Sequence, residues 1–199
     1  MAAPKYIAIA GNIGAGKTEL TEFLCTRYGL SPFFEPNDDN PYLADFYGDM
    51  ERWALHSQMF FLLRRFRIHK DIVQDRTIYE DAEIFAAHLH KKGQISERDW
   101  EMYQDLYTTL RREIRPPDLM IYLRCPVPVL VKRIKGRGRS FEQKIPRAYL
   151  ASLHELYEGW FARYDASETI VVDTDRVDYV EHLFDRHDLL ETIRSRLGR

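Results

Sequence analysis

The sequence contains little cysteine and no excess of charge of either sign. Its 199 residues include only two cysteines, Cys25 and Cys125, which lie far apart and lack the spacing of a metal site. We expect each of them to be a small buried side chain in a reducing compartment. The net charge of −2 gives no electrostatic reason to expect a nucleic-acid or membrane partner.

Long hydrophobic runs are also missing. No apolar stretch approaches the roughly 20 residues that a transmembrane helix requires. The first apolar run, at residues 6–10, begins too early to leave room for a signal peptide, so we expect a cytoplasmic protein. There are no repeats and no low-complexity linker, and a chain of this length is typical of one domain, over residues 1–199.

Short apolar segments alternate with longer helical patterns. The apolar segments are Tyr6–Ala10, Phe33-Phe34, Ile72-Val73, Leu119–Leu123 and Ile170–Val172. Strands that alternate with helices pair in parallel through right-handed crossovers, and strands this apolar are covered on both faces. The sequence predicts a doubly wound α/β fold with five parallel strands, in which ligands bind at the carboxyl ends of the strands.

The strongest signal is a glycine-rich segment directly after the first predicted strand. It matches the pattern G-x-x-x-x-G-K-[ST] completely and consists of Gly11, Asn12, Ile13, Gly14, Ala15, Gly16, Lys17 and Thr18. Such glycines let the backbone turn so tightly that N–H groups face a phosphate chain at a helix N-terminus. The pattern predicts an ATP site in which Lys17 neutralises the β- and γ-phosphates and Thr18 binds Mg²⁺. A plain strand-to-helix turn is the alternative interpretation.

Charged residues follow the second and third predicted strands. Glu35 comes directly after Phe33-Phe34, where a carboxylate fits the role of taking a proton from an attacking hydroxyl. A solvated loop glutamate is the ordinary alternative. Asp75 fits a place near Mg²⁺, and Arg76 fits binding of the acceptor or of the phosphoryl group in transfer. A surface salt bridge is the alternative for that pair.

A basic segment at about residues 133–143 predicts a lid. Arg133, Arg137 and Arg139 stand at the end of a helical pattern that glycines interrupt. Such a segment suits a lid that closes over phosphates, excludes water and stabilises charge in the transition state. The alternatives are a solvated helix end and an RNA-binding patch, and the acidic balance of the chain disfavours RNA.

Taken together, these segments resemble the deoxynucleoside kinase family from about Tyr6 to Val180. The segments that carry the resemblance are Gly11–Thr18, Glu35-Pro36, Trp53 with Gln58, Asp75-Arg76-Thr77, and Arg133 through Gln143. The resemblance implies a P-loop kinase fold with an arginine-rich lid. It also implies that a homodimer transfers the γ-phosphoryl group of ATP, with Mg²⁺, to the 5′-hydroxyl of a deoxynucleoside in nucleotide salvage.

The resemblance also assigns catalytic and donor-binding roles. Glu35 corresponds to the base that takes the proton of the 5′-hydroxyl. Arg76 corresponds to the arginine that steadies this hydroxyl and the carboxylate of the base. Asp75 stands where many members of the family have glutamate, so an acidic group near Mg²⁺ is kept. Asp173 and Asp175 follow the last predicted strand, in the segment that holds the base of the donor.

For the acceptor, the resemblance implies a pocket of polar and aromatic residues. Tyr47 and Glu142 correspond to the pair that grips the sugar 3′-hydroxyl, and Gln58 to the amide that reads the edge of the base, since an amide both donates and accepts. The remaining pocket residues are aromatic walls and a charged pair, namely Trp53, Phe61, Phe85, Arg65 and Asp81. Without the resemblance, the helix face that Gln58 and Arg65 share would be interpreted as solvated.

The substrate is expected to be a purine deoxynucleoside. Asp38–Pro41, Phe60-Phe61 and Asp75–Asp81 are most similar to bacterial deoxyadenosine and deoxyguanosine kinases. Deoxycytidine stays open as the main substrate. A thymidylate-type monophosphate kinase would combine the same loop and lid, but Glu35 would repel an acceptor phosphate. A nucleotide-dependent switch without transfer chemistry is the remaining alternative, and the intact catalytic set argues against it.

Overall fold

Five strands form one parallel sheet in the computed structural model, which describes residues 6–34, 39–66, 72–139, 142–175 and 183–196. The strands are β1 (Ile7–Gly11), β2 (Ser31–Phe33), β3 (Ile72–Asp75), β4 (Leu119–Arg124) and β5 (Glu168–Asp173). They lie in the order β2-β3-β1-β4-β5, and every neighbouring pair is parallel. The prediction of a five-stranded parallel sheet is confirmed.

The second strand begins and ends earlier than predicted. Residues 31–33 pair with residues 72–74, whereas Phe34 lies beyond the strand and is 39% exposed. The aromatic pair Phe33-Phe34 suggested a strand centred there. However, β2 is an edge strand, where Pro32 is tolerated and continuous burial is not needed.

Helices connect the strands in chain order. The first crossover is α1 (Lys17–Tyr28), and the second contains α2 (Leu43–Gly48) and α3 (Met50–Phe66). After β3 the chain forms α4 (Ile78–Glu80), a π-helical turn at Asp81–Ala86, α5 (Ala87–Lys91) and α6 (Glu97–Glu113). After β4 it forms α7 (Val127–Arg137), a 3-10 turn at Glu142–Lys144 and α8 (Arg147–Phe161), and α9 (Leu183–Arg196) follows β5.

The central strand is buried on both faces. Ile7 and Ile9 pack in one hydrophobic cluster, while Ala8 and Ala10 pack in another, because successive side chains of a strand point to opposite faces. The first cluster includes residues of α1, α7 and α9, and the second includes residues of α3, α6 and α8. Helices therefore cover both faces of the sheet, as the apolar strands predicted.

The parallel register brings the functional segments to one edge. Ile9 pairs with Asp75 across β1 and β3, and Gly11 pairs with Leu123 across β1 and β4. The carboxyl ends of β1, β3 and β4 are therefore neighbours. Ligands of such sheets bind at this edge.

The two cysteines are free and buried. Burial raises the pKa of the Cys25 and Cys125 thiols, so both stay protonated and unreactive at neutral pH. None of the helices in the described part of the chain is long and apolar enough to cross a membrane.

Candidate active site

The glycine-rich segment forms the turn between β1 and α1. Gly16, directly before α1, has a φ of 100°, a left-handed conformation that glycine adopts without steric cost. Gly14 has a φ of 81°, and a Cβ atom there would lie 2.9 Å from Cγ1 of Ile134 in α7. The turn therefore runs close against α7 and ends at the N-terminus of α1. A helix N-terminus after such a turn is a favourable position for a phosphate group.

Asn12 stabilises this turn through hydrogen bonds of its side chain and its carbonyl oxygen. Its Nδ2 donates to the carbonyl oxygen of Leu150 in α8 at 3.0 Å, and its Oδ1 accepts from the Ile13 N–H at 2.8 Å. Its own carbonyl oxygen accepts from Lys17 Nζ at 3.2 Å and from the Ala15 N–H at 3.1 Å. Asn12 thus holds the loop and the Lys17 side chain in one arrangement.

Three predicted phosphate-site residues meet where β3 ends. Thr18 Oγ1 donates to Asp75 Oδ2 at 3.0 Å, and Lys17 Nζ lies 3.9 Å from Asp75 Oδ1. Hydroxyl and carboxylate oxygens are the ligands that Mg²⁺ prefers, so Thr18 and Asp75 fit this ion. The ammonium group beside them suits the negative charge of a phosphate chain.

A cavity of about 190 Å³ opens in front of these three residues. Its wall contains most of the residues predicted for the donor and for catalysis, together with two that the motifs did not include, Glu22 and Phe34. The predicted residues in the wall are Ile13, Gly14, Gly16, Lys17, Thr18, Asp75, Arg76, Arg137, Arg139 and Glu142. We refer to this space as the phosphate-side cavity.

Some predicted donor residues lie outside that wall. Gly11, Asn12 and Ala15 belong to the loop but are buried and are in neither cavity wall. Asp173 ends β5, with its Oδ1 at 3.7 Å from Arg124 Nη1, and Asp175 is exposed in the turn that follows.

Arg133, a predicted lid residue, contacts the loop and the end of β5. Its Nη1 donates to the carbonyl oxygen of Ala15 at 3.2 Å and to Thr174 Oγ1 at 3.1 Å. Its Nη2 donates to the carbonyl oxygen of Thr174 at 2.7 Å. The guanidinium group therefore joins α7 to the phosphate loop and to the turn before Asp175, rather than lining the phosphate-side cavity.

Arg137 and Arg139 line the phosphate-side cavity and are paired with Glu142. Oε1 of Glu142 lies 3.3 Å from Arg139 Nη1 and 3.6 Å from Arg137 Nη1. Arg137 Nη2 also lies 3.8 Å from Glu19 Oε1. The two cations thus stand at the predicted phosphate position with carboxylate partners. Residues 140 and 141 of the predicted lid lie outside the described residues.

A second cavity adjoins the first and shares Ile13, Arg76 and Glu142 with it. Most of the predicted acceptor residues are in its wall, namely Tyr47, Gln58, Phe61, Asp81 and Phe85, together with Leu43, Phe46 and Tyr149. We refer to it as the acceptor-side cavity. Its volume is about 40 Å³.

Gln58 and Arg65 are buried, so the interpretation of their helix face as solvated is wrong. Arg65 Nε donates to Asp81 Oδ2 at 2.6 Å, and its Nη1 donates to the carbonyl oxygens of Asp75 and Arg76 at 3.2 and 3.4 Å. Arg65 stands behind Asp81 and is not itself in the cavity wall. It ties Asp81 to the turn that follows β3.

Arg76 lies at the junction of the two cavities. Its φ is 67°, and no other non-glycine residue in the described ranges has a positive φ. For a residue with a Cβ atom this conformation costs roughly 1–2 kcal/mol, and such strain is concentrated at functional sites. The guanidinium carbon lies 4.2 Å from the centroid of the Phe85 ring, which holds the cation over the aromatic face.

Trp53 and Glu35 were also predicted as site residues. Trp53 stacks on Tyr42, with ring centroids 5.7 Å apart, and is not in either wall. Glu35 lies outside the described residues. Its chain neighbour Phe34 lines the phosphate-side cavity, so the chain leaves β2 beside that cavity.

Glu80, which none of the sequence motifs includes, is a buried carboxylate beside the site. It forms a reciprocal capping box with Thr77 at the start of α4. The pattern Thr-x-x-Glu directly after Asp75-Arg76 is the signal that identifies it in the sequence. Burial raises the pKa of Glu80, while the positive charges of Arg76 and Lys17 oppose that rise.

Comparisons with known proteins agree on one family. A family model described as deoxynucleoside kinase matches residues 7–197. The deoxyadenosine/deoxycytidine kinase of Bacillus subtilis (strain 168) is 35% identical over 198 residues, which cover 95% of this chain and 91% of that protein. A deoxyguanosine kinase of Lactobacillus acidophilus is 34% identical over 206 residues, which cover 96% of this chain and 90% of that protein.

Solved structures give the same result for the fold. A structure of deoxyadenosine kinase from M. mycoides with bound dCTP superposes with a TM-score of 0.86 at 30% identity, covering 96% of this chain and 99% of that one. The same enzyme with the products dCMP and a flexible dCDP bound gives a TM-score of 0.85 at 29% identity, covering 96% of this chain and 98% of that one. The fold is that of these P-loop kinases.

Proposed function

Because the chain belongs to the deoxynucleoside kinase family, we propose that it transfers the γ-phosphoryl group of ATP to the 5′-hydroxyl of a purine deoxynucleoside. The chain is a nucleoside kinase that uses a nucleotide as phosphoryl donor. The proposal adds the identity of the donor, the position of transfer and the class of base.

One observation carries the proposal: the phosphate-side and acceptor-side cavities share Arg76 and Glu142 in their walls. On the donor side, the shared wall continues into Lys17 and Thr18, which suit phosphate. On the acceptor side, it continues into Gln58 and Asp81, which suit the polar edge of a base. An acceptor hydroxyl at the junction would therefore face the end of a donor phosphate chain, as phosphoryl transfer in line requires.

The donor would be held with Mg²⁺ at Thr18 and Asp75. The two oxygens that would face the ion are already in contact, at 3.0 Å. When bound, the ion would neutralise charge on the β- and γ-phosphates. Lys17 adds a positive charge from the protein, and Arg137 and Arg139 supply two more at the wall of the same cavity.

We assign Glu35 as the base that takes the proton of the 5′-hydroxyl. Phe34, the chain neighbour of Glu35, lies in the phosphate-side wall, and this position of Phe34 supports the role. Glu35→Gln should keep nucleoside binding and lose turnover by roughly 10²–10⁴-fold, as the loss of a general base does. Steady-state kinetics with calorimetric binding of the nucleoside checks both parts. Asp105→Asn on the exposed face of α6 is the control, and near-normal turnover of Glu35→Gln would remove Glu35 from this role.

Base choice would be made by Gln58 and Asp81. Each offers polar atoms to the acceptor-side cavity, and Arg65 fixes Asp81 from behind. A base that leaves such buried polar groups without hydrogen bonds is rejected strongly. Relatives named for deoxyadenosine, deoxyguanosine and deoxycytidine support a purine as the leading substrate and deoxycytidine as the alternative.

The test is a turnover panel. ATP and Mg²⁺ are supplied with deoxyadenosine, deoxyguanosine, deoxycytidine, thymidine, the matching ribonucleosides and the deoxynucleoside 5′-monophosphates. The proposal expects kcat/KM to be highest for a purine deoxynucleoside and negligible for the monophosphates. A preference for deoxycytidine would correct the base. Faster turnover of a monophosphate, or ATP hydrolysis that no nucleoside affects, would overturn the proposed reaction.

The chain is also proposed to act as a homodimer. The helices α3 and α6 pack against each other and carry the exposed apolar side chains Leu63 and Met102, which are 40% and 51% accessible. Sedimentation equilibrium should give twice the chain mass of 23.6 kDa. A Leu63→Lys variant that remains dimeric would exclude Leu63 from the interface, and a monomeric wild type would exclude the dimer.

A further inference from the structure

Glu80 is the most completely buried carboxylate next to the site, with 0% of its surface exposed. Its Oε1 accepts from the Gly11 N–H at 3.2 Å and from the Tyr157 hydroxyl at 2.9 Å. Its Oε2 accepts from the Thr77 N–H at 2.8 Å and from Thr77 Oγ1 at 3.3 Å. Glu80 is therefore bound to the first residue of the phosphate loop, to the turn after β3 and to α8.

The two backbone donors show why an amide would not replace the carboxyl group of Glu80. A hydroxyl group can turn and become an acceptor, but the N–H groups of Gly11 and Thr77 cannot. They contact different oxygens of Glu80, so each oxygen must offer a lone pair. A carboxylate meets this demand, whereas a primary amide places its NH₂ group against one of the two N–H groups.

Glu80 joins two segments that carry residues of the proposed site: the phosphate loop, which leads to Lys17, and the turn that contains Arg76. Gly11 begins the loop that ends in Lys17, and Thr77 directly follows Arg76. Arg76 is strained at φ 67°, and its N–H donates to the carbonyl oxygen of Ile9 at 3.0 Å. The strained turn therefore persists only because it is held from several sides. Glu80 links this turn directly to the phosphate loop through hydrogen bonds to Thr77 and Gly11.

The phosphate loop has little room to adjust to a shift at this point. A Cβ atom on Gly11 would lie 3.0 Å from the carbonyl oxygen of Leu123 and 3.2 Å from the Cβ atom of Ala15. A movement of Gly11 is therefore transmitted to the loop rather than absorbed locally.

We propose that Glu80 is a positioning residue for phosphoryl transfer, whose carboxylate holds the phosphate loop and the Arg76 turn in one fixed relation. This inference rests on the proposed function for its kinetic part. It assigns Glu80 no contact with substrate. Because a misplacement of about 1 Å costs on the order of 100-fold in rate, loss of this link is expected to lower kcat more than nucleoside binding.

The experiment compares Glu80→Gln with wild type and with Glu83→Gln. Glu83 lies on the same helical segment, accepts from the Tyr107 hydroxyl at 2.6 Å and is in neither cavity wall. Folded fraction is measured by circular dichroism and urea unfolding. kcat is then expressed per folded molecule, and the Kd of ADP is measured by calorimetry.

The expected result for Glu80→Gln is a kcat per folded molecule lower by roughly 10–100-fold, a KM for the nucleoside within about threefold of wild type, and a Kd of ADP raised at least fivefold. Glu83→Gln should match wild type within about twofold in all three quantities. A kcat and a Kd of ADP that equal wild type per folded molecule would show that Glu80 only stabilises the fold, and would overturn the proposal.

Two further conditions keep the test decisive. If Glu80→Gln does not fold, Tyr157→Phe removes one hydrogen bond to Oε1 and is expected to lower kcat several-fold at unchanged KM for the nucleoside. Wild-type kinetics of that variant would then overturn the proposal. If wild type phosphorylates no nucleoside, the proposed function fails, and the Kd of ADP in Glu80→Gln still decides the role of Glu80 in holding the loop.

Discussion

Arg65 and Asp81 form a buried ion pair beside the acceptor-side cavity. The nucleoside proposed to bind in that cavity carries no charge. Both residues are about 1% exposed, and the contact between Nε and Oδ2 is 2.6 Å. Such pairs are often no better for stability than apolar residues of the same size, because desolvation offsets the attraction between the charges. The role proposed for this pair, which lies beside the acceptor-side cavity, is therefore recognition of the base rather than stabilisation of the fold.

Removing Asp81 alone should destabilise the protein strongly. Asp81→Ala leaves the guanidinium group buried without its carboxylate, so we expect the free energy of unfolding to fall by roughly 3–5 kcal/mol. The double variant Arg65→Met/Asp81→Ala should recover much of that loss. Urea unfolding of both variants measures which is more stable. A double variant no more stable than Asp81→Ala would show that lost packing, rather than the unpaired charge, causes the loss of stability.

Asp75 and Thr18 are the residues on which the proposed Mg²⁺ site depends. Asp75→Asn keeps the size of the side chain and its contact with Thr18 but removes the negative charge. We expect the concentration of Mg²⁺ for half-maximal turnover to rise at least about tenfold, since oxygen ligands with charge hold this ion best. A titration of turnover with Mg²⁺ measures this directly. An unchanged requirement in Asp75→Asn would place the ion elsewhere.

At the scale of elements, the site depends on contacts between neighbouring segments. The turn before α1 packs on α7 through Gly14 and Ile134, and Arg133 of α7 binds the carbonyl oxygen of Ala15 in the same turn. The π-helical turn Asp81–Ala86 places Asp81 and Phe85 in the same cavity wall. Such turns inside helices are frequent at functional sites.

Gly14→Ala should separate the loop from α7. The added methyl group would meet Ile134 Cγ1 at 2.9 Å, and φ of 81° is strained for alanine. We expect ADP affinity to fall at least about tenfold and the free energy of unfolding to fall by roughly 1–3 kcal/mol. Gly48→Ala is the control, because a Cβ atom there would meet nothing within 4 Å. Equal ADP affinity in the two variants would contradict the dependence of ADP binding on the contact between the loop and α7.

At the scale of the whole molecule, His88 makes stability depend on pH. It is 3% exposed, its ring centroid lies 4.9 Å from that of Tyr149, and burial lowers its pKa below 6.5, with Lys92 and Lys91 adding to the effect. A folded state that binds this proton less well than the unfolded chain loses stability as pH falls below about 6.5. Above that pH, neutral His88 makes its full contribution to the stability of the folded state.

We therefore expect wild type to lose more stability between pH 7.5 and pH 5.5 than His88→Gln does. Urea unfolding at the two pH values gives the difference. His187→Gln, at an exposed position of α9, should behave like wild type. A His88→Gln variant with the same acid sensitivity as wild type would assign the effect to other groups.

Much of the fold follows from local patterns in the chain. The alternation of apolar strands with helices predicted the parallel sheet, and the complete pattern from Gly11 to Thr18 predicted the turn before α1. Both are local because a strand period or a tight glycine turn is encoded in a few consecutive residues. The position of β2 was less predictable, since an edge strand lacks the continuous apolar run of β1.

The sequence by itself determined the phosphate loop, the Asp75-Arg76 segment and the sheet whose carboxyl edge they share. Only the tertiary structure decided that Gln58 and Arg65 are buried, that Arg133 binds Ala15 and Thr174, and that Glu80 joins Gly11 to Thr77. The physical reason is that burial and hydrogen-bond partners depend on which elements pack together. Residues such as Gly11 and Glu80, 69 positions apart in the chain, meet only after the sheet has formed.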